Sequence, residues 1–211
     1  MKLLREITDA SMKDRGKFVH NIIKKHYDKE YEDKIAPDEK KAIEDYQIDS
    51  REVNDYHWKK NKKENIFSGI GKKHIENVTK GIDNVMSKSK TPHKLHVYSG
   101  TIHDPRNIKN DEGIVHHPAF LSTTINENFG RQRAKSHAIR TGDAEGHMLK
   151  IHVPKDHPGI YVPSVNPDAV DTNEHEREFI LPHGTNLKHI KTTIEEGKKK
   201  KLNIHHMKVV L

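Results

Sequence analysis

The pattern of apolar and polar residues changes near residue 90 of the chain. Before that point apolar residues recur every three or four positions, which is the spacing of one face of an α-helix. The clearest case predicts an amphipathic helix over residues 73–88, with the apolar positions Ile75, Val78, Ile82, Val85 and Met86. After that point short apolar runs and alternating segments predict strands.

Helices are predicted throughout the first part of the chain. Residues 1–36 are polar with two small apolar stripes, formed by Leu3, Leu4 and Ile7 and by Phe18, Val19, Ile22 and Ile23. Pro37 followed by two acidic residues is typical of a helix start, and this helix should continue through Tyr46. Ser50 is a candidate N-cap for a further helix that carries Val53, Tyr56 and Trp58.

Short strands are predicted in the second part of the chain. They cover residues 95–98, 119–122, 148–153, 160–162, 178–181, 187–190 and 207–211. Helices followed by many short strands indicate an α+β fold with a mainly antiparallel core. We expect a helical N-terminal extension over residues 1–36 and one domain over residues 37–211, which is within the usual size of a domain.

Composition adds a highly charged, basic surface. Charged residues make up 33% and hydrophobic residues 32% of the chain, the formal net charge is +7, and 18 histidines can add charge below neutral pH. This balance favours acidic partners, namely nucleic acid, nucleotide phosphates or an acidic protein surface. The lysine-rich stretches at 59–63 and 198–201 are interpreted as solvated loops, with contact to a phosphate-bearing partner as the alternative for the first.

Several classes of protein are disfavoured. The absence of cysteine excludes disulfides, thiolate metal sites and cysteine nucleophiles. The N-terminal residues lack the apolar stretch of a signal peptide, and no window reaches the apolar length of a membrane span. We therefore expect no membrane partner and a cytoplasmic protein, in its own cell or, after delivery, in a host cell.

Two carboxylates, Glu176 and Glu178, precede the apolar run that ends at Leu181. On an extended strand residues i and i+2 point to the same face, so both acids should project together while Phe179 and Leu181 enter the core. Two acids on one wall suit the cleavage of a glycosidic bond, because positive charge builds on a sugar carbon. The alternative is a solvated strand end, which is common for an isolated Glu-X-Glu.

Three segments occur in a characteristic order: Val97-Tyr98-Ser99-Gly100, then Phe120-Leu121-Ser122-Thr123-Thr124, then Glu176-Arg177-Glu178 followed by Phe-Ile-Leu-Pro-His-Gly. Together they resemble the arginine-directed mono-ADP-ribosyltransferases, bacterial toxins and phage enzymes with an Arg…Ser-Thr-Ser…Glu-X-Glu signature. The resemblance covers roughly residues 40 to 211. It implies a split β-sandwich that binds NAD⁺ and an enzyme that transfers ADP-ribose to an arginine of a target protein, releasing nicotinamide without a metal.

The resemblance also implies roles for the two acids. Glu178 would be the catalytic glutamate, which holds the ribose and stabilises the oxocarbenium-like state as nicotinamide leaves. Glu176 would position the target arginine and draw off its proton, because a guanidinium is a poor nucleophile until a carboxylate engages it. Residues 166–175, which include Asn166, Pro167 and Asp168, would recognise the protein substrate.

The resemblance assigns the remaining site residues to NAD⁺. Ser122 would bond the ribose side and brace Glu178, and the other predicted cofactor-binding residues are Tyr98, Ser99, Gly100, Thr123, Thr124, Phe129 and Arg131. For Ser122 and Thr124 the alternative is ordinary hydrogen bonding at a strand end. For Phe129 and Arg131 it is a plain helix over residues 126–138, with Phe129 in the core.

Ser99 is a departure from the family pattern, because this position of the first motif normally carries an arginine. That arginine would bind the NAD⁺ pyrophosphate through its bidentate fork, and serine carries no charge. Compensation is expected from Arg106, Arg131, Arg133 or Arg140. Alternatively the chain is a binding module that keeps the fold without turnover, an NAD⁺ glycohydrolase, or an enzyme acting on nucleic acid, which the sequence does not favour.

Histidines raise a metal hypothesis that the sequence disfavours. His116-His117 and His205-His206 are adjacent pairs, not the i, i+4 pairs of a helical zinc site, and no His-Glu-X-X-His motif occurs. We therefore expect no metal.

Overall fold

A computed structural model describes residues 12–64, 71–166, 176–197 and 200–210, with side chains described from residue 17 onward. The apolar stripe at Leu3, Leu4 and Ile7, and Pro167 and Asp168 of the predicted recognition loop, lie outside the described residues. No helix within these ranges is both long and apolar enough to cross a bilayer.

Helices come first along the chain, and strands dominate after residue 94. The helices are α1 (Met12–Tyr31), α2 (Pro37–Asn61), α3 (Lys72–Lys88), α4 (Glu127–Thr141) and α5 (Val162–Val165), with a short 3-10 helix at Pro105–Asn107. The strands are β1 (Leu95–Thr101), β2 (Ile114–His117), β3 (Leu121–Thr124), β4 (Glu145–Val153), β5 (Ile160–Tyr161), β6 (Glu178–Leu181), β7 (Thr185–Glu195) and β8 (Lys201–Val210).

The strands are hydrogen-bonded in the order β2-β7-β8-β4-β1-β3-β6-β5. Every pairing is antiparallel except that of β4 with β8. The junction between β1 and β3 is narrow, because Tyr98 opposite Thr124 is its one pair in register. The predicted α+β fold with a mainly antiparallel sheet is therefore confirmed, and the narrow junction lies at the candidate site described below.

Two hydrophobic cores cover the sheet. The larger joins α1, α2 and α3 to the strands and contains Tyr27, Tyr46, Phe120 and Phe179, all nearly inaccessible to solvent. The smaller lies between α4 and the sheet and consists of Tyr98, Ala134, Met148, Leu202 and Ile204. Each strand of the β4–β8 pair thus serves both cores with alternate residues, as the two-residue period of a strand requires.

Three helical predictions can be compared with the structure. Helix α3 matches the prediction for residues 73–88, and its buried residues are the five that define the apolar stripe. The two helices predicted around Tyr46 and Val53 are present as the two parts of α2, which is kinked at Asp49, where the backbone angles are non-helical. Tyr46 and Val53, on either side of this kink, both enter the larger core.

Helix α1 is packed into the larger core. Tyr27 is fully buried, with its ring centroid 6.1 Å from those of Tyr161 on β5 and Phe179 on β6. Tyr31 is also buried, and its hydroxyl lies 2.8 Å from Ser89 Oγ. The boundary near residue 36 stays a prediction, and α1 shares its apolar contacts with the residues that follow that boundary.

Candidate active site

A cavity of about 210 Å³ opens where β1, β3, α4 and the turn before β6 meet. Its lining residues are Tyr98, Ser99, Gly100, Ser122, Thr123, Thr124, Phe129, Gly130, Arg133, His137 and Glu176. The tertiary structure thus brings residues from all three sequence motifs together around one space, although 75 residues of chain separate the first motif from the last.

Glu178 is the first residue of β6, is half-buried, and is not among the residues that line the cavity, although the neighbouring Ser122 and Glu176 are. The Ser122 hydroxyl donates a hydrogen bond of 2.5 Å to Glu178 Oε1. Burial raises the pKa of Glu178 to about 7; the hydrogen bond from Ser122 opposes this rise, and the negative charge of Glu176 adds to it. The carboxyl group is therefore poised between its two protonation states near neutral pH.

Glu176 reaches the same site by a different route from the one predicted. It precedes β6, and Arg177 between the two acids has a positive φ of 45°, in the left-handed region. Strand alternation therefore does not bring the two acids together. The Thr124 hydroxyl donates to the Glu176 backbone oxygen, and the Ile125 N–H donates to the Arg177 backbone oxygen at 3.2 Å, which holds this turn against β3.

The hydroxyl groups of β3 serve different partners. Ser122 donates to Glu178, Thr123 donates to the Phe179 backbone oxygen at 2.5 Å, and Thr124 donates to the backbone beside the acids. Thr123 and Thr124 thus fasten β3 to the segment that carries Glu176 and Glu178. Of the three hydroxyls, the Ser122 hydroxyl is bonded to a carboxylate of the site.

Strand β1 contributes uncharged residues to the cavity lining, namely Tyr98, Ser99 and Gly100. The Ser99 hydroxyl donates to the Ser122 backbone oxygen at 3.1 Å, so it supports β3 across the narrow junction. The resemblance assigned Gly100 to the binding of NAD⁺. A Cβ atom at Gly100 would lie 2.6 Å from the Ala134 backbone nitrogen, so the closest neighbour of this glycine is helix α4. Burial raises the pKa of the Tyr98 phenol.

Helix α4 presents one face to the cavity. Phe129, Arg133 and His137 are spaced by four residues and all line it. The Arg133 guanidinium lies 5.1 Å from the Phe129 ring centroid and donates to Glu176 Oε1 at 3.0 Å. Phe129 is half-buried at the cavity wall, which differs from the alternative that placed it in the core.

Arg131 lies on a different side of α4, because two residues turn a helix by roughly 200°. Its guanidinium donates to Glu127 Oε1 at 2.6 Å and to Glu195 Oε2 at 2.5 Å. It is not among the residues that line the described cavity, and Arg133 is. The sequence analysis named both arginines as candidates to compensate for serine at position 99, and the periodicity of α4 is the signal that separates them.

Gln47 on α2 is a site residue that the sequence reasoning missed. Its side chain hydrogen-bonds to Glu178, which lowers the pKa of that carboxyl against the larger effect of burial. The amide of Asn166 donates to Gln47 Oε1 at 3.0 Å. Gln47 thus connects Glu178 to the residue at which the predicted recognition loop begins, and no local motif marks it.

Comparisons with known proteins show the family of the chain. Residues 23–210 match the sequence profile of the ADP-ribosyltransferase exoenzyme family. The chain belongs to this family. No curated protein matches it.

Several toxins of known structure are similar to this family member. Plx2a, an ADP-ribosyltransferase toxin from Paenibacillus larvae, is 18% identical with a TM-score of 0.67, over 94% of this chain and 96% of that chain. The Vis toxin from Vibrio splendidus is 14% identical with a TM-score of 0.64, over 94% and 86%. BECa, an ADP-ribosylating toxin of C. perfringens solved with NADH, is 16% identical with a TM-score of 0.66, over 90% of this chain and 47% of that chain.

Proposed function

We propose that this ADP-ribosyltransferase transfers ADP-ribose from NAD⁺ to an arginine side chain of a target protein. One observation carries the choice of acceptor: the Glu176 carboxylate accepts a 3.0 Å hydrogen bond from the Arg133 guanidinium beside the half-buried Glu178–Ser122 pair. The site therefore already accommodates a guanidinium at the acid that would receive the substrate arginine. Paired charged groups of this kind form strong, directional hydrogen bonds.

The cavity suits the nicotinamide end of NAD⁺. Its volume of about 210 Å³ is below the 300–1,000 Å³ typical of sites that enclose a drug-sized ligand, so the rest of the dinucleotide would extend outside. Tyr98 and Phe129 line the cavity and would contribute aromatic surface to the binding of a flat ring. Arg133, whose side chain is 54% exposed, is the cation at the cavity mouth available to a phosphate.

Glu178 would supply the electrostatic part of the catalysis. Its carboxylate, braced by Ser122, would hold a ribose hydroxyl and stabilise the positive charge that develops on the sugar as nicotinamide leaves. A carboxylate in a partly dehydrated position interacts more strongly with that charge than one in water. Gln47 and Ser122 would keep the side chain in place.

Glu176 would act on the acceptor. Its carboxylate would accept a hydrogen bond from the substrate guanidinium and orient that group toward the sugar carbon. It would then accept a proton from the guanidinium as the new nitrogen–carbon bond forms. For that, Arg133 must release Glu176, which binding of the NAD⁺ phosphates to Arg133 would favour. Target recognition by residues 166–175, and action in a cytoplasm, stay predictions of the sequence.

The proposal is tested with purified protein, labelled NAD⁺, a small guanidine such as agmatine, and cell lysate. The expected result is label on the guanidine and on arginine side chains of lysate protein, located by mass spectrometry, together with free nicotinamide. Glu178→Gln should lower both product formation and nicotinamide release by about 100-fold or more. Glu112→Gln, at an exposed loop position, is the matched control and should leave both unchanged.

The variant Glu176→Gln separates the proposed roles of the two acids. It should lose transfer to the guanidine and keep part of the nicotinamide release, with water as acceptor. Label on another side chain would contradict the arginine assignment while leaving the family activity intact. Binding of NAD⁺ without nicotinamide release would identify a binding module, and release without any labelled acceptor would identify a glycohydrolase.

A further inference from the structure

Three side chains of metal-ligating types lie close together on the side of β4 and β8 that carries the larger core. His147 Nδ1 lies 3.0 Å from His205 Nε2, and Asp104 Oδ1 lies 3.9 Å from the same nitrogen. All three ligand atoms lie within 4.8 Å of one another. In a tetrahedral zinc site with bonds of about 2.0–2.1 Å, neighbouring ligand atoms are roughly 3.4 Å apart, so small side-chain shifts would complete the geometry.

The sheet topology creates this cluster. His147 on β4 and His205 on β8 lie on the same face of two parallel strands, two residues apart in register. Asp104 follows β1 and caps the short 3-10 helix at Pro105–Asn107. The sequence did not predict the cluster, because His205 was judged with its neighbour His206, and its real partner is 58 residues away.

Hydrogen bonds orient His205 toward the cluster. Its other ring nitrogen, Nδ1, lies 3.0 Å from Thr192 Oγ1, and that hydroxyl lies 2.9 Å from His189 Nε2. If Nδ1–H donates to Thr192, the Thr192 hydroxyl can donate to His189, which leaves Nε2 of His205 with a free lone pair facing His147. Metal-binding histidines are commonly held in this way by a partner on the second nitrogen.

Asp104 is held by Arg106 and keeps capacity for a further bond. Arg106 Nε lies 2.9 Å from Oδ1 and 2.8 Å from Oδ2, and Nη2 donates to Oδ2 at 2.5 Å. The Arg106 backbone N–H donates to Oδ1 at 2.9 Å. The Arg106 Nε–H is shared between the two carboxylate oxygens and lies nearer Oδ2. A small rotation of the Asp104 carboxylate would therefore leave a lone pair of Oδ1 available to a metal.

Asn203 provides an independent sign of a missing partner. It is 1% exposed, lies on β8 two residues before His205, and pairs in register with His147. Its amide nitrogen donates to Glu145 Oε2 at 2.7 Å, while its Oδ1 has no partner among the residues that the structure describes. A buried carbonyl oxygen without a hydrogen bond lowers the stability of the fold, so a metal-bound water that donates to this oxygen would stabilise it.

We propose that Asp104, His147 and His205 bind a divalent transition metal ion, with water as the fourth ligand and Asn203 Oδ1 as acceptor for that water. Two imidazoles and one carboxylate are a ligand set that suits Zn²⁺, and hard ions such as Mg²⁺ or Ca²⁺ would be disfavoured by the nitrogen ligands. The ion would fasten the segment after β1 to the β4–β8 pair. This proposal does not depend on which side chain accepts ADP-ribose at the active site.

Metal-free protein is titrated with Zn²⁺ by calorimetry, and with Co²⁺ while its visible absorption is followed. The expected result is one saturable site per chain, with the absorption of low-symmetry, tetrahedral-type Co²⁺. Asp104→Asn and His147→Gln should each weaken binding at least tenfold. Thr192→Val should weaken it by about 10–100-fold, as loss of an orienting partner does at other metal sites.

The controls address nonspecific binding by the many histidines of this chain. His206→Gln changes the adjacent residue on the opposite face of β8, and His116→Gln changes an exposed histidine of β2; both should bind as wild type does. Equal affinity in wild type, Asp104→Asn and His147→Gln would overturn the proposal, as would the absence of a saturable site in wild type. The cluster would then be a hydrogen-bonded structural network only. Circular dichroism of each variant shows that the fold is retained.

Discussion

At the scale of single residues, the site depends on how its charges are paired. Glu178 is half-buried and bonded to Ser122, while Glu176 at the cavity wall is bonded to Arg133. The two carboxyl groups thus have different environments, which suits two different roles in one reaction. The candidate arginines differ in the same way: Arg133 lines the cavity, and Arg131 is held by two carboxylates on another side of the helix.

The pH dependence of the reaction should report Glu178. Because its pKa is raised to about 7 by burial, and the charged form is the one that stabilises a cationic transition state, kcat/KM for NAD⁺ should rise about tenfold per pH unit below that value and level off above it. In Glu176→Gln, followed by nicotinamide release, the inflection should move to lower pH, because a neighbouring negative charge is gone. A flat profile from pH 5 to 8 would contradict this role.

The same group links stability to pH. The unfolded chain binds this proton below a pKa of about 4.5 and the folded chain below about 7, so the stability contributed by Glu178 falls as pH rises between these values. Glu178→Gln should therefore be more stable than wild type at pH 8, by about 1–3 kcal/mol, with a smaller difference at pH 5. Denaturant unfolding at both pH values measures it, with Glu112→Gln as the control.

Arg133 and Arg131 form a matched pair of variants. Arg133→Ala should raise KM for NAD⁺ by about tenfold or more, because it removes the cation at the cavity mouth. Arg131→Ala removes an arginine from the same helix outside the lining and should change KM less. Steady-state kinetics measure both KM values. A larger increase in KM for Arg131→Ala than for Arg133→Ala would assign phosphate binding to Arg131, as the sequence analysis predicted.

At the scale of elements, the packing of α4 against β1 shapes the cavity. A Cβ atom at Gly100 would lie 2.6 Å from the Ala134 backbone nitrogen, and one at Gly130 would lie 2.6 Å from the Tyr98 Cβ atom. Glycine at both positions lets the helix backbone lie directly on the strand. Phe129, Arg133 and His137 reach the cavity as a result of this approach.

Gly100→Ala should therefore push α4 away from β1. We expect a loss of about 1–3 kcal/mol in the free energy of unfolding, together with a raised KM for NAD⁺, because the added methyl group meets backbone that has little room to move. Ser136→Ala, on the exposed side of α4, is the control and should change neither quantity appreciably. An unchanged unfolding curve for Gly100→Ala would show that the helix adjusts without cost.

At the scale of the whole molecule, one large core joins the first helix to the strands that carry the acids. Tyr27 of α1 packs against Phe179, the residue directly after Glu178. Residues 1–36 were predicted as an extension of a separate domain, and this contact shows that α1 supports the buried side of β6. Stability of the sheet and placement of Glu178 should therefore depend on α1.

Tyr27→Ala should destabilise the protein by roughly 3–5 kcal/mol, because it empties the space of a fully buried aromatic ring. Ile139→Ala on α4, where the side chain is 70% exposed, is the control and should cost little. Thermal and denaturant unfolding measure both. A small effect of Tyr27→Ala would mean that the domain can dispense with α1, in agreement with the predicted boundary.

The sequence by itself determined the α+β class, the helix at residues 73–88 and the order of the three motifs, because these depend on local periodicity and short-range spacing. It missed β2, whose four residues carry no alternation clear enough to mark an edge strand. It also predicted that Glu176 and Glu178 share a site, but from strand alternation. In the structure the left-handed backbone at Arg177 places Glu176 before the strand.

Only the tertiary structure decided which side chains share a space. Gln47 reaches Glu178 from a helix more than one hundred residues earlier, and His147 meets His205 because β4 and β8 are parallel neighbours. Arg133 rather than Arg131 faces the cavity because of the rotation of α4, which Gly100 and Gly130 fix by close packing. The spacing of residues along the chain determines which side chains share one face of a helix or strand. The packing of elements that are distant in sequence determines which other side chains that face contacts.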